Sequence, residues 1–387
     1  MTRIDNPIYS NGVALNYDDI TVIPERISTI SSRKECNPYD EDGYLPIFAA
    51  PMSSVVSIEY TGAFNGARIR TVIPRSYSVE ERLDFLSKNE GNFVAFSLAE
   101  AKDLFIDKYH ATMVKLGERT LPYNICIDLA NGHMKCLLDT CKEIKNLNGD
   151  KICIMTGNIA NPEVYRDYES VGIQYVRVGI GGGSVCSTSS NVAIHYPYFS
   201  LLEEIYNIKQ EINGKCKIIA DGNIKGFRDI QKALIFADYV MIGGLFNKAM
   251  ESAGRTTYGS SYFNVRGKKI YRPIKTLLTY GKEVPKDKYE ETYQLIKENK
   301  LTVWKENFGM STKIAQALIA SANTQEVKNL KTSEGLFKYQ KVEYDIKGWA
   351  ENETDFLRSA MSYTDSRTLD EYKDSRWVRI TTIRYNN

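Results

Sequence analysis

The chain has 387 residues, of which 43% are hydrophobic, and its 50 basic and 48 acidic side chains leave a formal net charge of +2. This length accommodates two average domains or one large α/β barrel. Because the charges are interspersed, no basic patch suited to nucleic acid or an anionic membrane is evident, and small molecules are the expected partners. No apolar run reaches the ~18 to 20 residues of a membrane span, and the first residues lack the apolar core of a signal peptide, so we expect a cytoplasmic protein.

Short apolar runs suited to buried parallel strands recur eight times. They lie at 46–50, 68–73, 92–96, 124–128, 151–155, 174–178, 217–220 and 238–242. Segments with helical spacing lie between them, as at 78–86, 162–168, 199–212 and 226–236. This repeated alternation favours a closed (β/α)8 barrel over an open doubly wound sheet, which usually has fewer strands. We predict a single barrel domain over 1–387, with an N-terminal arm at 1–45, an insertion after strand eight at 255–305 and an active-site loop at 323–345.

Small and polar residues follow several of the predicted strands, at the rim where such barrels carry their active sites. Asp221, Gly222 and Asn223 follow the seventh strand, and Gly243 and Gly244 follow the eighth. The loops after these two strands frequently bind phosphate through backbone N–H groups. The Asp221 carboxylate would suit a ribose diol, since it accepts hydrogen bonds from vicinal hydroxyls. The pattern therefore indicates a mononucleotide site.

The sixth predicted strand runs into a glycine-rich stretch, residues 179–188, that contains Cys186 and Thr188. Because a free cysteine is mostly protonated at neutral pH, a nucleophilic Cys186 would need backbone donors, a cation or a base to increase its thiolate fraction. The other interpretation is a flexible turn followed by an inert cysteine; the position between two ligand-like loops favours the nucleophile. The stretch is neither a Walker A loop nor the dinucleotide fingerprint, since Ser184 stands where the last glycine should be.

Eight segments of the chain contain characteristic motifs. They are Tyr17-Asp-Asp-Ile20, Pro46-Ile-Phe-Ala-Ala-Pro-Met52, Ile125-Cys-Ile-Asp-Leu-Ala-Asn-Gly132, Gly181-Gly-Gly-Ser-Val-Cys-Ser-Thr188, Ala220-Asp-Gly-Asn-Ile224, Val240-Met-Ile-Gly-Gly244, Gly309-Met-Ser311 and Ser333-Glu-Gly335. Together these segments resemble the IMP dehydrogenase and GMP reductase family over nearly the full length of the chain. The run ending in Ser-Val-Cys-Ser-Thr, combined with Ala-Asp-Gly and Ile-Gly-Gly at later strand ends, is highly specific. The fold that the resemblance implies is again the (β/α)8 barrel.

The resemblance also implies a role for each matching residue. Cys186 would attack C2 of a purine and form a covalent thioimidate, and a hydride would move between C2 and a nicotinamide. The positions that bind the nucleotide are Ser184, Asp221, Gly222, Asn223, Gly243, Gly244, Gly309, Met310, Ser311 and Gly335. The cofactor positions are Asp128, Ala130, Asn131, Gly132 and Arg75, the last with a positive charge that could meet the extra phosphate of NADPH. The carbonyls of Gly181, Gly183 and Cys186 match a potassium site, and members of the family resemble one another in being homotetramers.

The two reactions of the family differ in what happens to the thioimidate. A dehydrogenase hydrolyses it with an Arg–Tyr pair on a mobile flap, whereas a reductase expels ammonia through a relay of Thr and Glu. No arginine occurs between Arg272 and Arg358, while Thr188 and Glu334 match the reductase relay. The regulatory domain that most dehydrogenases insert after strand two is also missing. We therefore predict an NADPH-dependent GMP reductase that converts GMP to IMP and ammonia.

The chain also departs from the reductase pattern at several positions. Phe308 replaces a tyrosine that helps to bind phosphate, Asn223 replaces a glycine, Ser189 replaces an arginine, and Leu330-Lys331 replaces Tyr-Arg. The segment 255–305 is absent from compact reductases. Three alternatives therefore stay open: an IMP dehydrogenase that makes XMP with NAD, a nucleotide-binding barrel without turnover, and a reductase acting on a related nucleotide such as a deoxynucleotide.

Overall fold

Eight parallel strands close into a barrel, which confirms the predicted (β/α)8 fold. In chain order these barrel strands, numbered one to eight below, are Ile47–Ala49, Arg70–Ile73, Phe93–Phe96, Tyr123–Asp128, Ile152–Ile159, Tyr175–Val178, Lys217–Asp221 and Tyr239–Ile242. Met241 of strand eight lies opposite Phe48 of strand one, which closes the ring. The computed structural model describes residues 14–183, 185, 191–258, 263–265, 268–270, 282–283, 289–298, 302–323, 335–373 and 375–380.

Helices alternate with the barrel strands and continue beyond them. The α-helices are Thr61–Gly66, Val79–Lys88, Leu98–Lys102, Tyr109–Leu116, Lys135–Asn148, Val164–Ser170, Tyr198–Glu211, Phe227–Ala233, Tyr289–Lys297, Lys313–Ala322, Ile346–Tyr363 and Leu369–Tyr372. The helix after strand two begins with a capping box, in which Ser78 and Glu81 each bind the other's backbone N–H. No helix in the described ranges combines the length and the apolar character that a membrane crossing requires.

The strands separate two apolar layers because successive side chains point to opposite faces. In strand four, Ile125 and Ile127 belong to the outer layer, which packs against the helices. Cys126, between them, points into the barrel together with Phe48 and Met155. The barrel interior is therefore filled by side chains, and a ligand site must lie at one of its ends.

The N-terminal end of the barrel is covered by the segment that precedes strand one. Arg70, the first residue of strand two, pairs with Asp40 and Asp42, and its Nη2 lies 2.6 Å from Asp42 Oδ2. The Tyr239 hydroxyl donates to Asp40 at 3.2 Å, and the Arg70 guanidinium lies 4.5 Å from the ring centroid of Tyr44. This ion-paired cover leaves the C-terminal end of the strands to form the site.

Further strands lie outside the barrel. Ile20–Val22 pairs antiparallel with Trp377–Arg379, so the two ends of the described chain meet. A four-stranded sheet follows the order Lys282–Glu283, Thr256–Tyr258, Val303–Phe308, Phe337–Lys341. The Asn247 side chain fastens this sheet to the barrel rim by donating to the carbonyls of Ser54 and Glu306 at 2.7 and 2.8 Å. The division into arm, insertion and active-site loop stays a prediction.

Candidate functional site

A cavity of about 290 Å³ opens at the carboxyl ends of the barrel strands. Its lining combines the loops after strands one, six, seven and eight with one residue of the outer sheet, Gln340. Five of the predicted nucleotide-binding residues line it, namely Asp221, Gly222, Asn223, Gly243 and Gly244. Gly183, predicted as a potassium ligand, lines it as well. The fold thus brings together strand ends that are far apart in the sequence.

A larger cavity of about 650 Å³ lies elsewhere, on the outer wall of the barrel. It is lined by residues of the N-terminal strand and by Phe227, Gln231, Phe356 and Tyr372. None of the predicted site residues borders it. Because barrel enzymes carry their catalytic groups at the strand ends, we place the candidate site in the smaller cavity.

Four predicted residues lie outside the described part of the chain: Ser184, Cys186, Thr188 and Glu334. Of their chain neighbours, Gly183, Val185 and Gly335 are described. The Val185 carbonyl accepts a hydrogen bond from the Leu336 N–H at 2.8 Å. A methyl group on Gly309 would lie 2.7 Å from the same carbonyl, so only glycine fits beside it. The residue that precedes the candidate nucleophile therefore meets the segment that follows the candidate glutamate.

A buried arginine ties two of the strand ends together. Arg177, on strand six, pairs with Asp128 at the end of strand four (2.7 Å) and with Asp221 at the end of strand seven (2.8 Å). Asn158 donates to Oδ2 of Asp221 and to the carbonyl of Gly179, both at 2.8 Å. The side chains of Arg177, Asp128 and Asp221 are only 9, 12 and 15% exposed, so water screens these charges weakly. The network fixes the direction of both carboxylates.

The ionisation states in this network follow from its charges. Burial acts to raise the pKa of Asp128, but Arg177 and then Arg75, whose Nε lies 3.4 Å from Oδ2, outweigh it and hold the pKa below its ordinary value. Burial, with smaller contributions from the charges of Asp128 and Asp221, raises the pKa of Cys126 to about 12 against a lowering by Arg177. Asp128 is therefore an ionised hydrogen-bond acceptor at neutral pH, whereas Cys126 is a protonated core thiol.

The loop after strand seven takes a left-handed turn. Gly222 has φ = 108° and Asn223 has φ = 58°. Asparagine is among the few residues that adopt this conformation at little cost, which explains how it can replace a glycine here. The Asn223 N–H donates to the Gly182 carbonyl at 3.0 Å and thereby joins the loop after strand seven to the loop after strand six.

The predicted cofactor loop lies against the end of strand five. The Gly132 N–H donates to the Asn158 carbonyl at 2.9 Å, and a methyl group on Gly132 would lie 2.7 Å from that oxygen. The Tyr168 hydroxyl donates to the Gly132 carbonyl at 2.5 Å. Gly132 therefore anchors the loop, while Ala130 and Asn131 are exposed and accessible to a ligand.

The segment 309–311, which is predicted to lie beside the base, contacts the loop after strand one. The Ser53 N–H lies 3.5 Å from Sδ of Met310, and the Ser54 hydroxyl donates to the Phe308 carbonyl at 3.3 Å. A methyl group on Gly335 would lie 2.6 Å from Cγ2 of Thr312, so these two segments pack closely. Ser311, the other predicted residue in this segment, is exposed.

Lysines line the end of the cavity formed by the loops after strands seven and eight. Lys225 pairs with Asp18 at 3.0 Å, and Lys248 pairs with Glu343 at 3.1 Å. Burial and then the positive charge of Lys248 lower the pKa of Lys338, so a third lysine lies within electrostatic range. These cations would attract an anion to the glycine backbone of the same loops.

Several of these residues were missed by reasoning from the sequence. Arg177 carried a usable signal, since it is a charged residue inside an otherwise apolar strand and must find partners when buried. Asn158 lies three residues beyond the predicted strand at 151–155 and was given no role. Lys248, and Tyr198 beneath the glycine loops, carried no signal, because only the folded chain shows what they contact.

The architecture defines the class of protein: a (β/α)8 barrel whose candidate site lies at the strand ends and joins carboxylates, glycine loops and cations. The family model for the IMP dehydrogenase / GMP reductase domain matches residues 108–302. A GMP reductase of Buchnera aphidicola is 31% identical over 252 residues, which are 62% of this chain and 71% of the relative. GMP reductases of Onchocerca volvulus and Caenorhabditis elegans are each 27% identical over 97% of this chain and over 93% and 94% of their own lengths. The chain belongs to the IMP dehydrogenase / GMP reductase family, which confirms the resemblance seen in its motifs.

Proposed function

We propose that this chain is a GMP reductase, which converts GMP and NADPH to IMP, ammonia and NADP. The observation that carries the proposal is the hydrogen bond between Val185 and Leu336. It joins the residue before Cys186 to the second residue after Glu334, and the reductase reaction needs Cys186 and Glu334 together. The relatives that span nearly the whole chain are named GMP reductases. The lack of arginine between Arg272 and Arg358 also argues against the hydrolytic step of a dehydrogenase.

The cavity supports binding of a purine nucleoside monophosphate. Backbone N–H groups of the loops after strands seven and eight, with Lys225 and Lys248, would hold the 5′-phosphate. Arg177 and Asn158 both contact Oδ2 of Asp221, so Oδ1 would accept hydrogen bonds from the ribose hydroxyls. The base would then extend towards Met310, with its C2 beside the loop that carries Cys186. Asp221 is thus pre-positioned, and its orientation costs little entropy on binding.

The chemistry begins with attack of the Cys186 thiolate on C2 of the purine. As the C–S bond forms, the C2–N bond to the exocyclic amino group breaks, and Thr188 and Glu334 deliver the proton with which that group leaves as ammonia. When bound, the nicotinamide supplies a hydride to C2 of the covalent thioimidate. Cys186 then leaves as a thiolate, which regenerates the free enzyme and releases IMP.

The described residues fit a nicotinamide cofactor on the other side of the base. Ala130 and Asn131 are exposed beside Asp128, and Asp128 is held ionised as an acceptor. Arg75 supplies a cation at the same rim, where the extra phosphate of NADPH would meet it. The potassium site at the carbonyls of Gly181, Gly183 and Cys186, and the homotetramer, are further parts of the proposal.

A paired assay tests the proposal against its alternatives. Purified protein is incubated with GMP and NADPH, and separately with IMP and NAD. We expect NADPH oxidation with release of one ammonia per NADPH in the first reaction only. XMP formation in the second reaction would instead establish a dehydrogenase. Nucleotide binding without turnover in either reaction would instead support the third alternative, a barrel that binds nucleotides but does not catalyse a reaction.

The thioimidate is tested by intact mass spectrometry of protein quenched during turnover. We expect an adduct that digestion locates at Cys186. Cys186→Ala should abolish turnover and leave the dissociation constant for GMP within about twofold, because the phosphate and ribose contacts lie elsewhere. Cys136→Ala, at an exposed cysteine outside the site, is the matched control. An adduct that persists in Cys186→Ala would contradict the assignment.

A further inference from the structure

Three glycines of the site pack against a single aromatic ring, that of Tyr198. A methyl group on Gly179 or on Gly182 would overlap this side chain, and one on Gly222 would lie 2.8 Å from its hydroxyl oxygen. Gly179 and Gly182 belong to the loop after strand six, and Gly222 belongs to the loop after strand seven. Tyr198 therefore occupies the space that side chains on both loops would need.

The Tyr198 hydroxyl also binds the loop directly. It accepts a hydrogen bond from the Gly182 N–H at 2.9 Å. The carbonyl of Gly182 accepts the N–H of Asn223 at 3.0 Å. Both polar groups of this residue are thus bound, one by Tyr198 and the other by the loop after strand seven, four residues before Cys186.

Tyr198 itself is held rigidly. It is the first residue of the helix Tyr198–Glu211 and is 1% exposed. Its N–H donates to Oδ1 of Asn16 at 3.0 Å, and its ring lies 6.0 Å from the ring of Tyr17. A side chain fixed by a helix and by the N-terminal segment provides a firm support for two glycine-rich turns.

We propose that Tyr198 is a positioning residue that holds the loop carrying Cys186 in register with the loop that binds the ribose and phosphate. Its ring supports Gly179 and Gly222, and its hydroxyl fixes the Gly182 peptide group. The effect on catalysis rests on the proposed function, whereas the fastening of the loop does not. Because small errors in the position of a nucleophile slow the reaction strongly, the hydroxyl should influence turnover without touching the substrate.

Tyr198→Phe tests this role, because the ring stays and the acceptor for the Gly182 N–H is lost. We expect hydrogen–deuterium exchange of the peptide covering 179–185 to accelerate about tenfold in the ligand-free protein, as loss of one hydrogen bond implies. With GMP and NADPH, we expect kcat to fall about tenfold and KM for GMP to stay within about twofold. The melting temperature should change by no more than about 2 °C.

Tyr165→Phe is the matched control. Tyr165 is also fully buried, and its hydroxyl donates to the Cys216 carbonyl at 2.8 Å on the outside of the barrel. This variant should leave both kcat and the exchange of residues 179–185 unchanged. An equal fall of kcat in the two variants would show a general structural effect and overturn the proposal.

The exchange measurement separates this inference from the reductase proposal. If the wild-type protein turns over no purine nucleotide, the reductase proposal fails, and exchange in the ligand-free protein alone decides the role of Tyr198. Unchanged exchange in Tyr198→Phe would overturn the fastening of the loop whatever the activity. Faster exchange with unchanged kcat would show that Tyr198 holds the loop but does not position the nucleophile, which would overturn the catalytic part.

Discussion

Two buried arginines lie at opposite ends of the barrel, and each of them pairs with two carboxylates. The surroundings of the two ion-pair networks differ. Arg70, at the N-terminal end, pairs with Asp40 and Asp42 from the segment before strand one, and the Asp42 side chain is 67% exposed. Arg177, at the C-terminal end, pairs with Asp128 and Asp221, which are both largely buried, and Asp221 lines the cavity. The same ion-pair chemistry closes the barrel at one end and orients two carboxylates of the candidate site at the other.

The difference follows from the direction of the strands. In a parallel barrel, the loops that enter the strands meet at one end and the loops that leave them meet at the other, and only the latter carry the site. Burying charges costs free energy that their mutual attraction only partly offsets, so a buried ion-pair network such as that of Arg177 adds little net stability. Its presence is better explained by a role in the site. Four predictions, from the largest expected effect to the smallest, test this contrast.

Replacing Arg177 should have the largest effect. Arg177→Met leaves Asp221 buried without this cation and leaves Asp128 with Arg75 alone, so we expect a loss of roughly 3–5 kcal/mol in the free energy of unfolding. Asp221 would also lose its orientation towards the ribose, and we expect kcat/KM for GMP to fall by about 10³-fold in the folded fraction. Urea unfolding and steady-state kinetics measure the two effects. If the folded variant kept wild-type kinetics, Arg177 would have only a structural role, as expected for Arg70, and the proposed difference between the two ends would be wrong.

Replacing Arg70 should affect stability alone. Arg70→Met leaves one buried carboxylate, Asp40, because Asp42 is free to turn into water. We expect the free energy of unfolding to fall by about 3 kcal/mol, at the low end of the range for a broken buried pair. The kcat/KM for GMP of the folded protein should stay within about twofold. A larger kinetic loss would mean that the N-terminal end communicates with the site.

Replacing Lys248 tests whether the C-terminal end of the barrel binds phosphate, because this lysine lines the cavity beside the glycines of the loop after strand eight. Lys248→Gln removes one charge from the proposed phosphate site, and we expect KM for GMP to rise about tenfold with little change in kcat. Affinity for guanosine, which has no phosphate, should not change. Lys115→Gln, at an exposed lysine paired with Glu80, is the control and should leave both values unchanged. An equal loss for guanosine and GMP would contradict a phosphate contact.

The smallest effect is expected at Glu353, a buried acid on the outer wall that receives hydrogen bonds from the Gln231 amide at 3.1 and 3.3 Å. Burial raises the pKa of Glu353 well above its ordinary value, against a smaller lowering by Gln231. Above pH ~4.3 the unfolded chain releases this proton while the folded chain retains it, so stability falls as the pH rises towards the folded pKa. Glu353→Gln cannot ionise and should raise the melting temperature at pH 7.5 but not at pH 4.

The control for this pH dependence is Glu351→Gln, at an exposed position of the same helix. It should shift the melting temperature equally at both pH values or not at all. If Glu353→Gln gave the same shift at pH 4 and at pH 7.5, protonation of the buried acid would not be the cause. Glu353 would then be a buried charged carboxylate like those beside Arg70 and Arg177, but bound by the Gln231 amide instead of an arginine.

Much of the fold could be read from the sequence because parallel strands in a barrel are buried on both faces and form short apolar runs. The predicted strand at 174–178 corresponds to Tyr175–Val178, and the predicted strand at 238–242 to Tyr239–Ile242. Strand five was predicted to end near Met155 but extends to Ile159, because its last residues are small or polar and broke the apolar pattern. From the sequence we expect two short helices over Trp349–Tyr372, but the first of them is longer and spans Ile346–Tyr363.

The amino-acid sequence by itself determined the barrel, the rim at which the site forms, and the family, because apolar periodicity and the motifs at strand ends are local properties. It could not show which groups meet across the barrel. The pairing of Arg177 with Asp128 and Asp221 and the packing of Tyr198 under three glycines join residues that are 16 to 49 positions apart in the sequence. Only the closure of eight strands into a ring brings those residues within contact, and charge, burial and steric fit then act over distances that the linear order does not contain.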